Sequence, residues 1–216
     1  MKRWAFVSDF DGTISKKDFY WIVIEKYFQE GHSLFKQWKE GDIKDIDFLA
    51  TVFKSINQNE DQIIADILQI PIDEYVPSFI RNVQKNGGDF FILSAGTDYY
   101  IQYVLNKYAV ENVPVFSNQG FFHKNNIHMN IDDQHVHFSE RYGIDKTKII
   151  KQLKEEYEFV CFIGDSEPDS HPAVFSDMTF AIGTLQDLLK EKGITFIPVN
   201  NFKEVEKHLI NMEIMT

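Results

Sequence analysis

The chain has 216 residues, 44% of them hydrophobic and 15% aromatic, enough for one sizeable core or a core with a smaller insertion, which excludes a disordered chain. Its formal net charge of −11 excludes a binder of the nucleic-acid backbone, which needs a basic face. A small phosphorylated ligand stays open, because a local cation can reverse the field at one site.

The single cysteine, Cys161, lies in an apolar run, so neither a disulfide framework nor a thiolate metal cluster is expected. Lys2 and Arg3 precede an apolar run that ends at Asp9, too short for a signal peptide, and no segment reaches membrane-spanning length. A cytoplasmic protein with no membrane partner is the expectation.

Trp4 to Val7 read as a short buried strand. Asp9 and Asp11 follow, and they would point the same way if the extended conformation continued past the strand. Carboxylates held close repel and raise a pKa, so the pair calls for a cation or a chemical task. Ser15-Lys-Lys-Asp18 has the form of a capping box, followed by an apolar helix that Gly31 would stop.

Helical stretches are expected at 33–40, 45–56 and 60–68, and Tyr75, Val76, Phe79, Ile80 and Val83 have helical spacing up to Gly87-Gly88. Strand-like residues 89–93 lead to a helix at 98–108, a short strand at 114–116 and a hairpin at 119–131. A helix at 148–157 feeds the apolar strand 159–163. The strand 178–182, a helix to Gly193, a strand at 195–199 and a last helix complete the chain.

Strands alternating with helices predict an α/β fold, a doubly wound parallel sheet covered on both faces. The helical block after the first strand is too long for a crossover and reads as an inserted helical cap of roughly 70 residues. The expected boundaries are 1–15 and 85–216 for the α/β core and 16–84 for the cap. Ligands of open α/β sheets bind beyond the carboxyl ends of the strands, so the chemistry is sought there.

Those strand ends carry Asp9, Asp11, Gly12 and Thr13, then Ser94, Ala95 and Gly96, then Asp165 and Asp169; a helix start adds Asp145-Lys146. Each alone has a plain reading as a turn, a helix entry or a solvated residue. Together they bring four carboxylates, a hydroxyl and an ammonium to one edge. This ordered set resembles the haloacid-dehalogenase-like superfamily of phosphatases, over nearly the whole chain.

Two branches compete within that superfamily: phosphoserine phosphatases and the 2-hydroxy-3-keto-5-methylthiopentenyl-1-phosphate phosphatases of methionine salvage. "SAGTDYY" and "FFHKNNIHMNI" are similar to the second, and Asp18 matches its aspartate where phosphoserine phosphatases carry a glutamate. No counterpart of the cap arginine of phosphoserine phosphatases is found. Ala95 stands in place of a glycine, and Cys161 stands without companions.

The resemblance implies Mg²⁺-dependent hydrolysis of a small phosphorylated metabolite. Asp9 would attack phosphorus and form an aspartyl-phosphate. Asp11 would protonate the leaving oxygen and later deprotonate water. Asp9, the main-chain carbonyl of Asp11 and Asp165 would hold the metal, with Asp169 in support. Ser94 and the N–H groups after it, at a helix start, would grip the phosphoryl oxygens. Lys146 would add charge and restrain Asp9, with Lys148 as the alternative. Thr13 would orient Asp11, and Asp18 would contact substrate or simply cap its helix.

Phe19, Tyr20, Trp21, Trp38, Tyr99 and Tyr100 either line an apolar pocket or pack the core. His135 and His137 either bind metal or sit on a loop surface. The rivals of another class are a phosphoryl-acceptor signalling domain and a catalytically silent phosphate-binding protein. Asp11 and the inserted cap favour turnover over the first, and the intact set of Asp9, Asp11, Ser94, Lys146 and Asp165 favours it over the second. A dehalogenase is disfavoured because a halide needs no general acid.

Overall fold

The computed structural model describes residues 4–216, so Lys2 and Arg3, and the first three residues of the expected core segment, lie outside it. Seven strands form one sheet: β1 (Trp4–Ser8), β2 (Gly88–Thr97), β3 (Val115–His123), β4 (Asn126–Asn130), β7 (Phe159–Gly164), β8 (Met178–Ala181) and β9 (Ile197–Pro198). Their order is β4-β3-β2-β1-β7-β8-β9. Every pairing is parallel except that of β3 with β4. A two-stranded ribbon, β5 (Phe138–Ser139) with β6 (Gly143–Ile144), lies outside this sheet.

β1 is buried at all five positions because both faces of the sheet are covered, which is why it reads as an unbroken apolar run. Trp4, Phe6, Phe90, Ile92 and Cys161 pack on one face, with residues of α5 (Val76–Lys85), α6 (Asp98–Lys107) and α9 (Phe202–Asn211). Ala5, Val7, Phe91, Leu93 and Phe162 pack on the other, with α7 (Lys146–Glu156) and α8 (Leu185–Glu191). The doubly wound sheet expected from the sequence is therefore present.

Strand order reverses at β1, which lies between β2 and β7, so the crevice at that switch point opens beside the ends of β1 and β7. Those ends carry Asp9 and Asp165.

Four helices, α1 (Phe19–Tyr27), α2 (Gly31–Glu40), α3 (Asp45–Phe53) and α4 (Glu60–Ile67), lie between β1 and α5. Phe19, Phe48 and Phe53 join the core cluster that also holds Tyr100 and Phe10. The segment expected as the cap, 16–84, also contains most of α5. That helix packs on the sheet, with the Phe79 ring edge-on to Phe6 at 4.9 Å and close to Phe202 at 5.3 Å.

Several local expectations are corrected. The extended chain does not continue through Asp11: the Phe10 carbonyl accepts from Thr13 N at 3.4 Å and Ser15 N at 2.8 Å, so the chain turns. Gly12 makes that turn at φ +82°, and a β-carbon there would overlap the Asp165 carboxylate. Ser15 forms no capping box. Its hydroxyl accepts from Gly12 N at 3.3 Å, its backbone bridges to Ile72, and the helix begins only at Phe19.

Gly31 opens α2 and does not close α1, which ends at Tyr27. Residues 114–116 and the first arm of the hairpin are one strand, β3, which pairs with β2 and then with β4. Ser94 does not open a helix. β2 continues to Thr97, whose hydroxyl accepts from Tyr99 N at 3.0 Å and caps α6.

Candidate active site

Asp9 follows β1 directly, and Asp9 N donates to the Ile163 carbonyl of β7 at 3.0 Å, tying the two strand ends together. Lys146, the first residue of α7, reaches back to this point. Asp145 caps the helix by accepting from Thr147 N at 2.9 Å and Lys148 N at 3.2 Å. The Lys146 ammonium donates to Asp9 Oδ1 at 2.6 Å and to Asp169 Oδ1 at 2.7 Å, with all three side chains buried.

Asp169 Oδ2 accepts from the backbone N–H of Asp165 at 3.0 Å and of Ser166 at 3.3 Å, closing a capping box with Ser166. Asp169 thus braces the turn that presents Asp165. Lys146, not Lys148, is the lysine at this cluster, since the Lys148 ammonium donates to the Phe138 carbonyl on the surface.

Oxygens of Asp9, Asp165 and Asp169 lie within 4.8 Å of one another. Burial, followed by the Asp169 charge, pushes the Asp9 carboxyl up to about 7 in spite of Lys146. Burial and the charges of Asp9 and Asp169 push Asp165 up to about 9. Burial alone would lower the Lys146 pKa, but Asp169 and Asp9 outweigh it and hold the ammonium above its ordinary value. Three acids against one base leave this cluster short of positive charge.

Asp11 has other partners. Its Oδ2 accepts from the Tyr100 hydroxyl and its Oδ1 from Phe19 N, at the start of α1, at 3.3 Å. Burial and the neighbouring Asp18 push its carboxyl up to about 8. Burial also raises Asp18, which stands at the start of α1 without a side-chain capping bond. Thr13 does not orient Asp11: its hydroxyl donates to Asp165 Oδ1 at 3.4 Å, because the turn at Gly12 carries it to the β7 side.

Asp9, Asp11, Asp18, Ser94, Ala95, Gly96 and Lys146 line one cavity of about 90 Å³, room for several waters or a phosphoryl group. Ser94 Oγ accepts from Gly96 N at 3.0 Å, and Asn118 Nδ2 donates to the Ala95 carbonyl at 2.8 Å, which fixes this loop. The opposite wall is Tyr20, Trp38, Leu49, Phe53 and Tyr100, with Asp45 at its edge. Phe19, Trp21 and Tyr99 do not line it; Phe19 and Trp21 pack among aromatics, and the Tyr99 hydroxyl donates to Glu60 at 2.9 Å.

Sequence reasoning missed Tyr100 as the partner of Asp11, Asn118 as an anchor, and the α3 wall. Asp45, Leu49 and Phe53 are spaced four apart, one stripe of a helix, so that wall was recoverable. His135 and His137 lie on a loop, where His137 N donates to His135 Nδ1 at 3.2 Å. Among the described residues the aspartate trio is the group of three or more metal-ligating side chains, and neither histidine belongs to it.

A parallel sheet with this strand order and strand-end aspartates defines a class. The fold is that of solved phosphoserine phosphatases. One, a phospho-aspartyl intermediate analogue, superposes with a TM-score of 0.70 and 16% identity over 96% of this chain and 99% of that one. A hydrolase from Salmonella enterica serovar Typhi gives 0.74 and 15%, over 94% and 69%. No family model matches the chain.

Curated relatives are similar in sequence and are named 2-hydroxy-3-keto-5-methylthiopentenyl-1-phosphate phosphatase. The Bacillus velezensis protein is 33% identical over 137 residues, which cover 62% of this chain and 57% of that protein. The Bacillus pumilus protein is 29% identical over 95% of this chain and 90% of its own. The chain is thus similar, over most of its length, to proteins named as phosphatases, and it shares the fold of solved phosphatases of the haloacid-dehalogenase-like type, which are phosphoric monoester hydrolases.

Proposed function

We propose that the protein hydrolyses a small, apolar-tailed phosphomonoester through an aspartyl-phosphate on Asp9, and that its substrate is 2-hydroxy-3-keto-5-methylthiopentenyl-1-phosphate. The observation that carries the mechanism is the unequal pairing of two carboxyls in one cavity. Asp9 faces an ammonium, which favours its anion, whereas Asp11 faces a phenol and an N–H and is buried beside Asp18.

The Asp9 carboxylate forms the new bond to phosphorus as the ester oxygen leaves with the proton of Asp11. Water then attacks phosphorus, gives its proton to Asp11 and releases Asp9 and inorganic phosphate. Lys146 restrains Asp9 and adds positive charge beside the phosphoryl oxygens, while the Ser94 hydroxyl and the Ala95 N–H hold those oxygens and the Gly96 N–H, donating to Ser94 Oγ, orients that hydroxyl.

An oxygen-only set of buried carboxylates suits a hard cation such as Mg²⁺. Asp9, Asp165 and the main-chain carbonyl of Asp11 would hold it. Asp169 spends its oxygens on Lys146 and on backbone N–H groups, so it supports the site from behind. When bound, the cation neutralises charge on the carboxylates and the phosphoryl group.

The cavity supports the substrate assignment. Lys146 is the only cation among its lining residues and is taken up by Asp9 and Asp169, which leaves no partner for a substrate carboxylate. The wall of Trp38, Leu49 and Phe53 suits an uncharged methylthio tail. We further propose that the helices after β1 act as a cap over the site, since Tyr20 of α1, Trp38 of α2 and Leu49 and Phe53 of α3 line the same cavity as Asp9 and Ser94. Comparing kcat/KM on the methylthio ester and on phosphoserine tests the assignment. A clear preference for the methylthio ester supports it, and a preference for phosphoserine refutes it.

A further inference from the structure

We infer that Tyr100 is a positioning residue for the reaction: its phenol aims the carboxyl of Asp11 at the leaving oxygen, and Gly96 is the residue that makes room for it. The inference rests on the reading of Asp11 as the acid–base group.

Tyr100 occupies the first turn of α6 and is 1% exposed. Its ring lies 5.8 Å from Phe10, 5.1 Å from Phe19 and 6.1 Å from Phe53, so packing on three sides fixes where the hydroxyl points. That hydroxyl donates to Asp11 Oδ2, while Phe19 N donates to Oδ1. Each carboxyl oxygen thereby spends one lone pair on a fixed donor. The carboxyl plane is set, and the remaining positions are left for the proton that moves. Tyr100 keeps its own proton throughout and gives only a hydrogen bond.

Gly96 completes the arrangement. A β-carbon there would overlap the Tyr100 hydroxyl and lie 3.0 Å from Asp11 Oδ2. A side chain at position 96 would therefore push the phenol away from Asp11. The tyrosine, the aspartate and the glycine form one unit, and a glycine at this position does more than let backbone approach phosphate.

A residue that aims an acid matters most when the leaving oxygen needs its proton. Loss of aim alone can cost about 10- to 100-fold in rate. The test compares Tyr100→Phe with wild type on two saturating substrates, an alkyl phosphate and p-nitrophenyl phosphate, whose phenolate departs without a proton. The expected result is a drop of about 10-fold or more in kcat on the alkyl ester, a much smaller drop on the nitrophenyl ester, and KM values within about twofold of wild type.

Equal losses on both esters, or none, would overturn the inference. Asp11→Asn is measured beside it. Should that variant lose equally on both esters, the acid–base reading itself fails and takes this one with it; a leaving-group-dependent loss in Asp11→Asn with wild-type rates in Tyr100→Phe refutes the role of Tyr100 alone. If Tyr100→Phe does not fold, Gly96→Ala carries the test, because its methyl group would overlap the Tyr100 hydroxyl and push it off Asp11. The same leaving-group-dependent fall in kcat is expected, and its absence contradicts the inference.

Discussion

The Lys146 ammonium lies 2.6 Å from Asp9 Oδ1, joining residues 137 positions apart in sequence inside a pocket where both side chains are only 6% exposed. The contact joins the carboxyl end of β1 to the amino end of α7 and sets the charge of the whole cluster. Lys146→Met leaves Asp9, Asp165 and Asp169 without their cation. Breaking a buried pair this way typically costs about 3–5 kcal/mol, so the metal-free variant melts well below wild type. Thermal unfolding with and without magnesium checks this. Magnesium should recover part of the loss, since it supplies charge to the same carboxylates.

The acidic cluster makes metal-free stability depend on pH in a direction that can be worked out. Folding raises Asp9 from 3.8 to about 7 and Asp165 from 3.8 to about 9. Between those values the folded state binds more protons than the unfolded state, so stability falls as pH rises through this window. Asp165→Asn removes one of the raised groups. Its melting temperature relative to wild type should climb from about pH 5 to about pH 9 without metal. Millimolar magnesium should stabilise wild type by mass action and Asp165→Asn much less. A flat difference across pH would mean that Asp165 is not the strained carboxyl described here.

The proposed substrate assignment rests on the apolar wall of the cavity. Trp38 stacks on Phe48 with ring centroids 4.4 Å apart and faces the cavity with Leu49 and Phe53. Leu49→Ala should raise KM for the methylthio ester by about 10-fold, the usual worth of a few methylenes in an apolar pocket. Glycerol phosphate, which has no apolar tail, should be hydrolysed with little change in KM. Steady-state kinetics on the two esters decide it, and an equal effect on both would move the tail elsewhere.

Much of this was legible in the sequence. The buried strands β1, β2 and β7 announce themselves as apolar runs, and Asp9, Lys146 and Asp165 fall at element ends where local pattern is strongest, whereas Ser94 lies inside β2. Lys146 could be told from Lys148 only in three dimensions. Helical phase places the two on different sides of α7, but which side faces β1 depends on how the helix docks on the sheet.

Thr13 was read in the wrong role, and the bond from Tyr100 to Asp11 went unforeseen, for the same reason. Gly12 reverses the chain, sending Thr13 toward Asp165, and the partner of Asp11 arrives from α6, 89 positions away. The Ser15 capping box failed because the hydroxyl serves the turn at Gly12 instead. Long-range partners leave no short-range pattern to read.

Asp9 is the group that takes the phosphoryl in the proposed mechanism. If Asp11 is the base that activates water, Asp11→Asn should slow release of the phosphoryl group yet leave p-nitrophenolate free to depart. Rapid mixing of Asp11→Asn with p-nitrophenyl phosphate and magnesium, quenched in acid and digested for mass spectrometry, reads the intermediate directly. A burst of p-nitrophenol with one phosphoryl group on the peptide that carries Asp9, and neither in Asp9→Asn, is the predicted result. A protein that turns over with no burst and no phosphoryl group on that peptide would contradict it.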